Sequence, residues 1–295
     1  MLFSIIIPTY NRSDFISSTI QSVLAQTYPH FEIIIVDDGS TDNTEDVVKR
    51  VKDKRVSYYK KNNEERAAAR NYGTSKAKGD YVTFLDSDDI LLPHCFQEAN
   101  KLIQQESNPE WFHLKYKITN ASNKIIWQNL SIENKHLNKQ LLLGNFLSCI
   151  GVFLRKDIAE KNKFNETREL SGSEDHELWL RIASQYPLKI NNSITAALID
   201  HDDRSVVTID EVSLIKRQDV FLNLVLLTPI LKSFVLGYEN KLKSNSYSYV
   251  SLHLAITGKH KKASVTYLLK AIQANYLVMI SKRFFAIIKH ILLTN

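Results

Sequence analysis

A chain of 295 residues with 44% hydrophobic and 24% charged side chains is neither disordered nor fibrous, and it is long enough for one large core or slightly more than one. The net charge of +6 is uneven: residues 241–295 hold nine Lys or Arg and no Asp or Glu, leaving 29 basic against 32 acidic residues before them. Basic residues interleaved with aromatics, as a nucleic-acid surface needs, are missing from the body, and Cys95 and Cys149 lie too far apart for a disulfide framework or zinc motif, which fits a reducing compartment.

In chain order, MLFSIIIPTYN lacks a basic n-region and its apolar run stops at Pro8, so FSIII (3–7) reads as a buried strand rather than a signal peptide. Ser13 or Asp14 is placed to cap a helix whose apolar positions are Phe15, Ile16, Ile20, Val23 and Leu24. FEIIIV (31–36) is a second strand, closed by DDGSTD, where Asp42 is placed to cap the next helix. RVSYY (55–59) is a third strand, residues 64–77 a helix, and YVTFL (81–85) a fourth strand. Strands apolar on both faces that alternate with helices imply a parallel sheet with ligands beyond its carboxyl ends. The clusters PTYN, DDGSTD and DSDD sit at those ends and are expected to share one crevice.

Residues 106–200 are less regular, with a hairpin around Asn123, a strand at 149–155 and a helix at 174–184. From about 208 the pattern is helical. No window reaches the ~20 apolar residues of a membrane span; the best stretch, 220–237, is interrupted by Asn223, Pro229 and Lys232, so the expectation is a soluble or peripheral protein.

No phosphate-binding glycine loop follows the first strand, so a diphosphate in the crevice needs a cation. Asp86 and Asp88, two apart at a strand end, project to one face, where carboxylates plus phosphate oxygens suit Mg²⁺ or Mn²⁺. The competing possibility is that Asp88 and Asp89 only cap the helix near Pro93. Asp37 and Asp38 fit turn chemistry, although Asp38 could also accept the imide N–H of uracil while Tyr10 offers a ring for stacking. In SEDHELWLR, Ser173 is a candidate N-cap, and acids in a first turn favour the helix dipole.

SIIIPTYNR (4–12), IIIVDDGSTDNT (33–44), AARNYGTSKAKGDYVTFLDSDD (68–89) and EDHELWLR (174–181) occur in that order and together resemble the family 2 glycosyltransferases. The resemblance covers about the first two thirds of the chain. It implies a GT-A fold of the α/β class, Rossmann-like, with a mostly parallel central sheet and flanking helices. The catalytic domain would run over 1–205, divided into a nucleotide-binding half (1–105) and an acceptor-side half (106–205), before a helical C-terminal region (206–295) with a basic amphipathic tail. It further implies an inverting transfer from a nucleotide-sugar donor, most often a UDP-sugar, to a hydroxyl of a glycan or lipid-linked acceptor in surface polysaccharide synthesis. Pro8, Thr9 and Tyr10 would line the base and ribose site, Asp38 would hold uracil, and Arg70 would support the acidic cluster or the phosphates. Asp86 and Asp88 would form the metal motif for Mn²⁺ or Mg²⁺, with Asp88 the direct ligand, and Asp175 of the Glu174–Asp175 pair would be the general base.

The loop LIDHDDRSVV (198–207) offers His201 and Arg204 as further ligands of ion or diphosphate, or is simply polar. If residues 276–293 are helical, Lys282, Arg283, Lys289 and His290 fall on one side and Phe284, Ile287, Ile288 and Ile291 on another. That face either lies on a membrane or packs on the preceding helices. The expected location is the cytoplasm, with peripheral contact at the inner face of the cell membrane as the variant. Two other functions fit parts of the pattern: a nucleotidyltransferase, which would want a basic glycine-rich loop, and a silent nucleotide- or glycan-binding relative, against which the intact acids speak.

Overall fold

The computed structural model describes residues 1–120, 122, 124–128, 136–201, 210–258 and 260–293. The first half follows the apolar runs. Strands β1 (Phe3–Thr9), β2 (Phe31–Asp37), β3 (Val56–Lys60) and β4 (Tyr81–Phe84) are joined by helices α1 (Ile16–Leu24), α2 (Thr44–Lys49) and α3 (Glu65–Lys76). They pair in parallel in the order β3-β2-β1-β4. All seven β1 residues are buried, because helices cover both faces of the sheet and leave no side for polar groups. Ile5 and Ile7 join one core with Ile33 and Ile35, beneath Ile16, Ile20 and Val23 of α1. Ile6, Ile34 and Val36 point the other way into a second core with Ala67 and Ala69 of α3.

Helix α3 lies close on the sheet because Gly73 has no side chain: a Cβ there would fall 2.5 Å from Ile6 Cγ2 and 3.2 Å from Val36 Cγ2. Gly73→Ala therefore overpacks the core and is expected to cost roughly 1–3 kcal/mol, read as a lower urea midpoint with an unchanged slope.

Beyond β4 the sheet becomes mixed. Added are β5 (Ile90–Leu91), β6 (Trp111–Asn120), β7 (Ile125–Gln128), β8 (Val152–Arg155) and β9 (Lys189–Asp200), with α4 (Cys95–Gln105), α5 (Leu137–Gln140), α6 (Lys156–Lys161) and α7 (Glu174–Ala183) around them. The order continues β4-β8-β6-β9-β5, with β8 antiparallel to both neighbours, β6 and β9 parallel, and β7 forming the expected hairpin with β6. Strand β9 is absent from the sequence reading, and Cys149–Gly151 is a 3₁₀ turn rather than the start of a strand.

The expected cap of α1 fails, and so does the competing reading of Asp88 and Asp89 as caps. Helix α1 has no side-chain cap; the Ser13 N–H instead donates to Asp42 Oδ2 at 3.1 Å. Helix α4 begins after His94, whose side chain makes no cap; the Phe96 N–H in its first turn donates to Gln26 Oε1 at 3.1 Å, so the cap comes from just beyond the end of α1 and not from Asp88 or Asp89.

The C-terminal region contains α8 (Glu211–Leu227), α9 (Pro229–Val235), α10 (Glu239–Thr257), α11 (Lys261–Ala274) and α12 (Lys282–Leu293). Phe221, Leu222 and Val225 of α8 enter the core shared with the sheet, so this region packs directly onto the α/β body. Among the described residues no single helix is long and apolar enough to cross a membrane; α8 and α9 together are, but they bend by 87°. The tail is helical and amphipathic as expected. Its apolar stripe, Phe284, Ile287, Ile288 and Ile291, is spent on packing against Ala255 and Leu268.

Candidate active site

The register aligns the strand ends. Thr9 pairs with Asp37, Ile6 pairs with Phe84, and the Leu85 N–H donates to the Ile6 carbonyl at 3.0 Å, bringing the residues after β1, β2 and β4 to one edge. A cleft of about 400 Å³ opens there, lined by Pro8, Thr9, Tyr10, Asp38, Asp86 and Asp88 among others. The three clusters do converge.

Each group is positioned differently. Tyr10 is 47% exposed, and Thr9 Oγ1 is buried without a partner. An orphaned buried hydroxyl on a cleft wall is costly unless something else satisfies it. Asp38 is buried and accepts hydrogen bonds from Lys61 Nζ at 3.0 Å and from the Glu64 N–H at 3.0 Å. Its neighbour Asp37 faces away, accepting from Tyr58 Oη at 2.6 Å and from the Ser40 N–H at 2.7 Å, so the two acids divide between cleft and framework.

Asp86, Asp88 and Asp89 also part company. Asp89 is buried and accepts the Ile199 N–H at 3.0 Å, tying β9 to the site. Asp88 lies 3.5 Å from Arg12 Nε and 3.2 Å from His201 Nε2. His201 stacks on Phe15 with centroids 4.7 Å apart, and its Nδ1 is buried without a partner. Asp86 accepts from Arg70 Nη2 at 2.8 Å. Arg204 lies outside the described residues.

Arg70 lies under the cleft, 2% exposed, and its other prong donates to Glu174 Oε1 at 2.8 Å. Of the two roles open to it, it plays support of the acids. A bidentate guanidinium between two carboxylates is the geometry that makes such burial tolerable. Burial pushes Glu174 up, but Arg66 and Arg70 outweigh it and hold the carboxyl below its ordinary range. Glu174 Oε2 also accepts the Gly172 N–H.

Asp175 is not on the cleft wall. It is half-buried one residue beyond Glu174, accepting from Asn145 Nδ2 at 3.0 Å and from its neighbour's N–H, that of His176, at 2.7 Å. Burial, then the Glu174 charge, raises its pKa to about 6 against the opposing pull of Arg70. Two adjacent acids are thus driven apart: Glu174 is a structural anion and Asp175 a carboxylate poised near neutrality. Ser173 stands at the N-cap of α7, with Glu174, Asp175 and Glu177 in the first turn as expected, but its side chain makes no cap hydrogen bond. Helix α7 is seated against the C-terminal region, with His176 stacked on Phe221 of α8 at 4.8 Å and its Nε2–H donating to the Leu141 carbonyl at 2.8 Å.

The sequence reading missed Arg12, Arg66 and Arg168, which also line the cleft. Arg12 sat inside a quoted motif and Arg66 in the helix expected over 64–77, so both could have been noticed. Arg168 meets Glu65 at 2.9 Å across 103 positions, a pairing that only the fold reveals.

The family model for glycosyl transferase family 2 matches residues 4–161. An uncharacterized glycosyltransferase of Rickettsia felis is 36% identical over 184 residues, which span 62% of this chain but only 30% of that protein. The Escherichia coli protein named UDP-Glc:alpha-D-GlcNAc-diphosphoundecaprenol beta-1,3-glucosyltransferase WfaP is 35% identical over 191 residues, or 62% of this chain and 71% of that one. Among solved structures, residues 1–349 of Staphylococcus aureus TarS in complex with UDP-GlcNAc superpose with a TM-score of 0.62 at 17% identity, covering 94% of this chain and 91% of that one. That likeness concerns the fold, which is the GT-A arrangement the motifs implied. Because the family match runs over more than half of the sequence and contains the strand ends that build the cleft, the chain belongs to glycosyltransferase family 2.

Proposed function

We propose that the protein is a metal-assisted, inverting glycosyltransferase that moves one sugar from a UDP-sugar to a hydroxyl of a lipid-linked glycan. The observation that carries this reading is the buried Arg70, which joins Asp86 on the cleft wall to Glu174 beside Asp175. One rigid cation thereby fixes the donor edge relative to the acid that would serve as base. The names of a UDP-glucose-dependent relative with a diphosphoundecaprenol acceptor and of a UDP-GlcNAc complex support the donor and acceptor classes.

In this reading Thr9 and Tyr10 meet the base and ribose, and Asp38 accepts the imide N–H of uracil. Asp175 takes the proton from the acceptor hydroxyl while that oxygen attacks the anomeric carbon from the face opposite the leaving UDP. Asn145 holds one oxygen of Asp175, which keeps the carboxylate aimed. Arg12 adds positive charge beside the leaving diphosphate.

For the metal, the donor set fits. Among the described residues no three His, Cys, Asp or Glu form a ready cage, but Mg²⁺ and Mn²⁺ are commonly held by one or two carboxylates with phosphate oxygens and water completing the shell. Asp88 would be the direct protein ligand, with Asp86 and His201 beside it, and the ion would neutralise charge on the departing diphosphate.

The test is a panel of nucleotide sugars assayed for metal-dependent nucleotide release. Mn²⁺ and UDP together are expected to raise the melting temperature more than the sum of their separate effects, and Asp88→Ala should remove that excess while leaving the apo melting temperature near normal. If no member of the panel releases nucleotide and the two ligands stabilise independently, the reading is wrong.

A further inference from the structure

We infer that the outward face of α12, with the turn before it, docks the protein on an anionic phospholipid bilayer. At 100° per residue, Phe285 and Leu292 lie on one line of this helix with Lys282 and Lys289 beside them. All four are exposed, Phe285 by 62% and Leu292 by 73%, and Ile280 in the preceding 3₁₀ turn (Tyr276–Ile280) by 79%. The inward stripe around the fully buried Ile287 is occupied by packing on Ala255 and Leu268. So α12 is apolar on two sides, and only one of them has a partner in the fold.

The other permanently charged group on this helix is not available to that face. Arg283 turns inward and donates to the Asn245 carbonyl at 3.1 Å and to Ser248 Oγ at 3.2 Å. The remaining charges decide the occupant. No acid occurs from residue 241 to the end, against nine Lys or Arg. A second copy seated two-fold on this face would bring Lys282 and Lys289 against their own kind, with no carboxylate in the region to offset them. A leaflet of anionic headgroups supplies the opposite charge, and its acyl boundary takes in Phe285, Leu292 and Ile280. Because the docking face is separate from the cleft, it stands or falls independently of which sugar is transferred.

Co-sedimentation of the full chain with vesicles of mixed phosphatidylglycerol and phosphatidylcholine tests it. Binding is expected to the anionic vesicles and not to phosphatidylcholine alone, and to weaken as salt rises. Phe285→Ser with Leu292→Ser should lower partitioning by about tenfold or more, as should Lys282→Glu with Lys289→Glu, without changing the melting temperature. Phe285→Trp keeps the apolar bulk and should bind normally, with its added emission shifting blue on the anionic vesicles. Equal sedimentation of the serine variant, binding indifferent to lipid charge, or an unshifted emission from the Phe285→Trp variant would overturn the assignment. So would a dimer in light scattering that the same substitutions disperse, since the face would then belong to a second copy.

Discussion

Asp175→Asn is expected to leave UDP affinity unchanged and to slow sugar transfer by roughly 10²- to 10⁴-fold, the range associated with a lost general base. The amide retains the shape and the hydrogen bond to the His176 N–H but cannot accept the hydroxyl proton. In the unaltered protein, kcat/KM should climb with pH through about 6, where Asp175 gives up its own proton. The same substitution carries an unusual signature in stability. The folded-state pKa near 6 lies above the ordinary 3.8, so folding takes up a proton between those values and stability falls as pH rises through that window. The Asp175→Asn variant escapes this penalty. Its melting temperature should therefore exceed that of the unaltered protein above pH 6 and match it below about pH 4, a gain bounded at roughly 3 kcal/mol. Near-normal turnover by Asp175→Asn would remove the residue from the mechanism.

Arg70→Met is expected to produce the largest loss of stability. Removing one member of a buried ion network leaves the others uncompensated, at a cost of about 3–5 kcal/mol, which in a chain of this size lowers the melting temperature by roughly 10 °C. The pH dependence identifies the cause. Arg66 and Arg70 hold Glu174 below its ordinary 4.5, so the stability they confer is present above that value and disappears as pH falls through the depressed pKa. The deficit of Arg70→Met should be wide in melts at neutral pH and shrink only as pH is taken below 4.5 through the depressed pKa. Arg70→Lys should lie between, because an ammonium cannot bridge Asp86 and Glu174 with two parallel prongs. A deficit that ignored pH would point to lost packing against Phe164, whose ring lies 5.3 Å from the guanidinium, rather than to charge.

What could be read without coordinates was set by chain-local signals. FSIII and FEIIIV each hold a consecutive run of branched apolar residues, Ile5–Ile7 and Ile33–Val36, which burial on both faces suits, so the parallel half of the sheet was legible. Strand β9 was not, because KINNSITAALID carries two asparagines and a serine among its first five residues, and only Thr195, Ala196 and Ala197 are buried. Its strand character comes from pairing with β6, a tertiary cause that no window of sequence contains. The site divides in the same way. Asp86 and Asp88 were visible as crowded acids, but the partition of Glu174 from Asp175 depends on Arg70, 104 positions from Glu174. The capping expectation at Ser13 failed, because α1 starts after Phe15 and the Ser13 N–H is taken up by Asp42, from the loop ahead of α2; Ser173 does stand at the N-cap of α7 ahead of three acids, although its side chain makes no bond to the helix.

Strand β9 also bears on where this polypeptide could be cut. The segment matched by the family model ends at residue 161, close to the end of α6. A product trimmed there would lose the hydrogen-bonded neighbour of β6 from Phe112 to Asn120 and leave an open, adhesive edge. It would also strip Trp179, Phe221 and Leu222 from the core that Trp111 occupies. The segment matched by the family model is thus smaller than the packed core it contributes to, which takes in residues of α8.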